Sequence, residues 1–208
     1  IEFFQKIDHK SFELPNTFLR NGDSLVVYLG TLGIINGVDY LVEIAGIISK
    51  KNAKIKFLII GDGKMRNQII NKAKDLGILN KNLLCISQVP KNDIPRIMQL
   101  ATVSTSLFLP LKEMENNSAN KFFDSLAAGV PIVINYGGWQ KKVITKYNAG
   151  LRISNNPNIG AEELLKLLNN KIQIKEMSRN ALSLAKLKFS REKLSEKFIA
   201  ILEDSLDH

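Results

Sequence analysis

The sequence predicts an α/β fold: a Rossmann-like parallel sheet with helices on both faces and extra helices at its C-terminal end. Two observations carry that expectation. Five short runs rich in Val, Ile and Leu recur along the chain, and segments with apolar residues at helical spacing lie between them. A strand covered on both faces has no polar side, so it reads as a continuous apolar run, and consecutive parallel strands need a long crossover. A third observation is the glycine punctuation that closes the first two runs, where strands would turn into helices.

The elements follow in order. LVVYLG (25–30) is the first strand, and GVDYLVEIAGIISKK places Val38, Leu41, Val42, Ala45 and Ile48 on one helical face. KIKFLIIGDG (54–63) is the second strand, followed by the helix KMRNQIINKAKDLGI. LLCISQV (83–89) is the third. The helix after it, NDIPRIMQLA, has an Asn or Asp cap and Pro95 in its first turn. TVSTSLFL (102–109) is the fourth strand, and VPIVINY (130–136) the fifth. Between them NNSANKFFDSLAAG forms a polar loop and a helix, and Pro131 prevents that helix from continuing. After Gly150 the pattern is nearly all helical, with Ser190 opening a final amphipathic helix. Residues 1–22 lack a period and are punctuated by Pro15, Asn16, Asn21 and Gly22. The expected division is an interdomain linker remnant at 1–22 and one Rossmann-like domain at 23–208.

Composition narrows the function. The 208 residues are 45% hydrophobic, enough for a sizeable core. No apolar run approaches the roughly 20 residues of a membrane span, and IEFFQKIDHK lacks the apolar centre of a signal peptide. Cys85 is the single cysteine, so a disulfide framework is excluded and a cytoplasmic location is expected. The histidines are His9 and His208, near the chain ends, which argues against a metal cluster or a histidine triad. The net charge of +9 is spread over helix lysines such as Lys171, Lys175, Lys186, Lys188, Lys193 and Lys197. Few aromatics are interleaved among them, which disfavours nucleic acid as a partner and leaves attraction to an anionic membrane surface open.

In an open α/β sheet, ligands bind at the carboxyl ends of the strands, where helix N-termini offer free N–H groups to anions. Four loops lie there by sequence. GTLGIING (30–37) does not have the dinucleotide G-x-G-x-x-G spacing, which disfavours a hydride-transferring dehydrogenase. GDGKMR (61–66) is a turn into a helix. SQVPKND (87–93) offers strand-end backbone groups to a base. The fourth, 116–124, sets Ser118, Ala119 and Asn120 at a helix start, with Asp124 one turn inside.

The order and spacing of GVDYLVEIA, FLIIGDG, ISQVPKNDIPRIMQLATVSTS, NKFFDSLAAGVPIVINYGG, NAGLRIS and FSREKLSEKFIAILEDSL resemble the C-terminal, donor-binding domain of a GT-B glycosyltransferase of family 4, the group 1 transferases. The segment NSANKFFDSLAAGVPIV is similar to bacterial O-antigen and capsule transferases that use amino-deoxy sugars, including fucosamine-type enzymes. The resemblance implies a retaining transfer from a nucleoside diphosphate sugar, UDP-linked by preference, to a glycan or lipid-linked acceptor, with no metal required. By position it implies Asp124 for the ribose hydroxyls and the helix start at Ser118, Ala119, Asn120 and Lys121 for the diphosphate. Asn116 or Glu115 would meet the sugar, Gly30, Thr31 and Gly33 would face the phosphates and acceptor, and Val89 the base. An N-terminal acceptor domain is expected as partner. Peripheral attachment to the inner face of the cell membrane is a further expectation.

The chain departs from the family pattern at three positions. Asn116 stands where an acid is usual, and Thr31 and Asn36 stand where an Arg and a Lys are usual. Lys64, Arg66 and Lys121 are the candidates to neutralise the diphosphate instead. Two other readings are compatible with the sequence: a GT-B-type nucleotide-sugar epimerase, and a non-catalytic domain with a decayed donor site.

Overall fold

Residues 1–5, 12–15 and 17–206 are described by a computed structural model of the chain. The elements are α1 (Glu2–Gln5), β1 (Ser24–Leu29), α2 (Val38–Lys51), β2 (Ile55–Ile60), α3 (Arg66–Asp75), β3 (Leu83–Ile86), α4 (Ile94–Leu100), β4 (Val103–Ser106), α5 (Asn120–Ala127), β5 (Ile132–Ile134), α6 (Gly138–Lys146), β6 (Gly150–Arg152), α7 (Pro157–Asn169), α8 (Lys171–Lys188) and α9 (Arg191–Leu206). All six strands are parallel, in the order β3-β2-β1-β4-β5-β6. β1 pairs Val26 with Phe57 of β2 on one side and with Val103 of β4 on the other. The chain runs outward from β1 through β2 to β3, returns to β4 on the other side of β1 and runs outward again to β6, so a crevice opens above the carboxyl ends of β1 and β4.

Alternation along β1 assigns the two faces. Val26 and Tyr28 join the core cluster beneath α2 and α7, with Leu41, Ile44, Ile48 and Leu164. Leu25 and Val27 point the other way, toward Leu58, Ile60 and Ile97 of α4. On that second side Phe122 and Leu126 of α5 pack with Ile132 and Ile134 of β5 and with Ala181 and Leu184 of α8. α5 sits close to β4 because small polar side chains meet there: Ser125 Oγ lies 2.5 Å from Ser104 Oγ and donates to the Val130 carbonyl at 2.8 Å. Gly129 then ends the helix in the left-handed region, φ 69°, which favours a residue without Cβ.

The structure corrects the sequence reading in three places. The segment after Gly150 is not all helix, since Gly150–Arg152 forms the edge strand β6, paired through Leu151 to Val133. Three residues starting with glycine carry too little pattern to read. α6 was also unforeseen: it opens at Gly138 and carries Val143, Ile144 and Thr145, all poor helix propensities, and is held by burial of Gln140 and Ile144. Asp93 precedes α4 but does not cap it by side chain; its carboxylate takes a hydrogen bond from Arg96 at 2.9 Å.

Within 1–22, Phe4 of α1 is buried against Met98 and Val130, and Phe18 against Leu25 and Val27. His9, Asn16 and His208 lie outside the described residues. At the other end α9 is exposed along its length, with Leu194, Phe198, Ile199, Ile201 and Leu202 all open to solvent.

Candidate functional site

A cleft of ≈ 410 Å³ occupies the crevice above β1, β2 and β4, a size ordinary for a small-molecule site. Leu29, Gly30, Thr31, Ile60 and Gly61 form one wall; Asn120, Lys121 and Asp124 of α5 form the facing one. Gln88, Val89, Ile94 and Met98 close one side, and Ser104 and Thr105 the floor.

The first wall is built from backbone. Gly30 N–H donates to the Ile60 carbonyl (3.0 Å), Leu32 N–H to Asp62 (2.9 Å) and Met65 N–H to Leu32 (2.9 Å), so the loops after β1 and β2 are stitched together. At Gly61, φ is 153°, and a Cβ would stand 1.9 Å from the Gly30 oxygen, which leaves glycine as the residue that fits. The Tyr28 hydroxyl, beneath this loop, donates to the Thr31 carbonyl at 2.8 Å.

The facing wall carries the charge. α5 begins after Ala119 with no side-chain cap; Phe122 N–H donates to the Ala119 carbonyl at 3.0 Å, which leaves the N–H groups of Asn120 and Lys121, two residues of the cleft lining, at the helix start. Asn117 Oδ1 accepts from Ala119 N–H at 3.1 Å and fixes the entry of the chain into the helix. Lys121 extends its ammonium to within 4.9 Å of the Tyr28 ring centroid and 5.6 Å of that of Phe108, and donates to the Tyr28 hydroxyl at 3.4 Å. Burial lowers its pKa to about 8. Burial acts the opposite way on Asp124, raising its carboxyl, with the Lys91 ammonium partly opposing. Phe108 is held by Asn135, which donates to its carbonyl (2.8 Å) and accepts from its N–H (3.0 Å).

Of the residues singled out from sequence, Gly30, Thr31, Val89, Asn120, Lys121 and Asp124 meet in this cleft. Ala119 is the residue before the helix and Ser118 is exposed beside it; neither lines the cleft. Gly33 also lies beyond the lining, its N–H bonded to Asn36 Oδ1 at 3.3 Å. Asn36 is buried and committed to that turn. Glu115 and Asn116 end an exposed 3₁₀ turn, Lys112–Asn116, outside the lining, with Glu115 packed against Gly137 and Gly138. Lys64 and Arg66 do not line the cleft either. Among the described residues no group of three or more His, Cys, Asp or Glu could hold a metal ion.

Sequence reasoning missed the framework behind α5. The Asn117 carbonyl accepts from Trp139 Nε1 (2.9 Å) and Gln140 Nε2 (3.0 Å), and the buried Tyr136 hydroxyl bonds Ser106 Oγ (2.9 Å) and Gln140 Oε1. The visible signal was YGGWQ, with the single tryptophan of the chain directly after a glycine pair.

A parallel sheet with this strand order, and a cleft at its point of reversal facing an uncapped helix, defines a Rossmann-like half of the kind that binds phosphate-bearing nucleotides. The chain belongs to the family of glycosyl transferases group 1, whose pattern matches residues 10–183. It is 27% identical over 168 residues to an uncharacterized glycosyltransferase of Methanocaldococcus jannaschii, a match covering 80% of this chain and 44% of that protein. Among solved structures it is similar to the C-terminal domain of a glycosyl transferase group 1 family protein, LpcC, from Francisella tularensis (TM-score 0.69, 16% identity, 81% of this chain and 87% of that one). It is also similar to Anabaena HepE in complex with UDP and glucose (TM-score 0.73, 14% identity, 88% of this chain and 48% of that one). The chain spans about half the length of the curated relatives it matches. Among the described residues no helix is long and apolar enough to cross a membrane.

Proposed function

We propose that this domain binds the nucleoside diphosphate sugar, UDP-linked, for a retaining glycosyl transfer completed with a second, N-terminal domain. The observation that carries the reading is the convergence of Asp124, the open α5 N-terminus and the Gly30–Thr31 backbone on one cleft at the strand reversal. The likeness to a fold solved with UDP and glucose supports it. In this reading Asp124 accepts from the ribose hydroxyls, Val89 and Gln88 border the base, and the first-turn N–H groups of α5 receive the diphosphate. Transfer would break the bond from sugar C1 to the phosphate oxygen, whose electron pair leaves with the diphosphate. The acceptor oxygen bonds C1 on the same face, and its proton passes to the departing phosphate.

The amino-deoxy sugar, of fucosamine type, rests on NSANKFFDSLAAGVPIV, and the sugar contact is assigned by the family resemblance to Asn116 or Glu115, in the turn that precedes α5. A glycan or lipid-linked acceptor of cell-surface polysaccharide would enter from the partner domain. The five exposed apolar side chains of α9 give that domain a surface to cover. The scattered helix lysines suit a peripheral position on an anionic membrane from the cytoplasmic side.

Calorimetric titration of the chain with UDP, GDP and ADP, beside Asp124→Ala, tests the donor site. UDP is expected to bind, about tenfold or more weaker in the variant through loss of a charged hydrogen-bond acceptor. No binding of any of the three by the folded wild-type chain would reject the reading.

A further inference from the structure

We infer that the positive charge facing the donor's diphosphate is supplied by Lys121 on α5, reaching across the crevice to the end of β1, and not by the loop that follows β1. This deepens the donor-site reading and rests on it.

Lys121 is the one basic residue among those lining the cleft. The loop after β1 contributes Gly30 and Thr31 there, neither of which carries charge, and Asn36 further along is buried in its own turn. Arg66 lies near Ser87 Oγ, at 3.5 Å, and Lys64 is exposed; both stand outside the lining. Lys91 is directed to the neighbouring cavity, 5.6 Å over the Phe3 ring.

The Lys121 side chain is aimed. Its Cε lies 3.2 Å, and its Nζ 3.5 Å, from where a Cβ on Gly30 would stand, so the ammonium sits beside the backbone of the glycine loop. Two aromatic faces, Tyr28 and Phe108, hold it there, and the Asn135 amide clamps Phe108 in turn. Among the described residues no carboxylate forms an ion pair with it. A half-buried ammonium held by rings and one hydroxyl, with no counter-ion, is a poor structural element and a ready anion site. The uncapped start of α5, with the N–H groups of Asn120 and Lys121, belongs to the same wall, so an anion placed between Gly30 and the helix start would meet both. Absence of Cβ at Gly30 gives both the lysine and a phosphate room to approach.

In the transfer, Lys121 is a diphosphate-binding residue: it meets the charge left on the departing phosphate oxygen when the bond to C1 breaks, and need not give up its proton.

The test compares Lys121→Met and Lys121→Arg with wild type, titrating UDP, uridine and inorganic pyrophosphate, with thermal unfolding as the check on folding. Lys121→Met is expected to weaken UDP and pyrophosphate about ten- to a hundredfold, the effect of removing a charge-assisted bond. Uridine affinity should stay within about twofold, and Lys121→Arg should recover part of the loss. Unchanged UDP and pyrophosphate affinity in a folded Lys121→Met chain would overturn the assignment and leave the donor site standing. Equal loss for uridine would overturn it too, by showing a general disturbance of the cleft. If wild type binds pyrophosphate through Lys121 but no nucleotide, the anion site survives and the donor reading fails. If wild type binds neither, both fail.

Discussion

The two walls of the cleft are made in opposite ways. The wall from β1 and β2 is backbone: glycines at 30 and 61, carbonyls and N–H groups in mutual bonds, and no charge. The wall from α5 is side chain: an amide, an ammonium and a carboxylate on the first helical turns. The difference separates shape from charge. The backbone wall fixes how closely a ligand approaches, and its elements cannot change without moving the chain. The α5 wall sets which ligand is held and can be altered atom by atom.

The largest break of this contrast is expected from Gly61→Ala. The new Cβ would be placed 1.9 Å from the Gly30 oxygen, at a backbone φ of 153° that side chains rarely adopt. Either the loops after β1 and β2 separate or the strand ends shift. Overpacking of this kind typically costs about 2 kcal/mol, a fall in Tm of roughly 4–8 °C for a domain of this size. Nucleotide affinity should fall with it, since Gly30 and Thr31 would leave their places. A variant with unchanged Tm and UDP affinity would show that the stitched loops yield freely and that the wall does not set shape.

A smaller effect, confined to charge, should follow from pH. Burial holds Lys121 at about 8, below its ordinary value, so near pH 7 the free protein already carries the proton. A bound diphosphate raises that pKa, so binding takes up a proton at alkaline pH and affinity falls as pH rises past the free value. The groups facing the ammonium do not confuse the sign. Tyr28 is pushed well above its ordinary range by burial and stays neutral, and Phe108 has no charge; burial raises the Asp124 carboxyl, with the Lys91 ammonium opposing, and Asp124 is common to wild type and variant. Relative to Lys121→Met, wild-type pyrophosphate affinity should fall by about tenfold between about pH 7 and about pH 9.5. Pyrophosphate loses protons of its own in this window, and the ratio to the variant, which lacks the ammonium, cancels that change. A ratio that stays constant with pH would remove the ammonium from the site.

The same contrast explains what could be read from the chain. Strands β1 to β5 were legible because burial on both faces leaves long Val and Ile runs, whereas Asp124 and Lys121 were marked by the family resemblance, since a carboxylate near a helix start is favourable on dipole grounds alone. Gly30 was marked by the family resemblance as facing the phosphates, while its own residue type showed no more than a turn or a close backbone approach. The aromatic seat of Lys121 was invisible: Tyr28 and Phe108 lie 93 and 13 residues from it in sequence and meet it only through the order β1-β4. The strand order itself is not written in any local pattern. Asn117 looked like loop punctuation, and its carbonyl became a hub because α6, which the sequence hid, brings Trp139 and Gln140 to it.

The least change is expected at Thr31, and that is what makes it informative. Its side chain is exposed, although the residue lines the cleft, and the contact it makes in the wall is through its carbonyl, which accepts from Tyr28. If the wall acts by backbone alone, Thr31→Ala keeps every bond that shapes it. Stability should then change by less than about 0.5 kcal/mol, as for an ordinary surface substitution, and UDP affinity by less than about twofold. Thr31→Lys is the converse probe at the same position. It adds a cation on the uncharged wall opposite Lys121, and if diphosphate charge is met from α5 it should restore UDP affinity in Lys121→Met only in part, because a solvated side chain lacks the aromatic seat. A loss in Thr31→Ala as large as in Lys121→Met would place a working hydroxyl on the backbone wall, and the division between shape on one side and charge on the other would have to be abandoned.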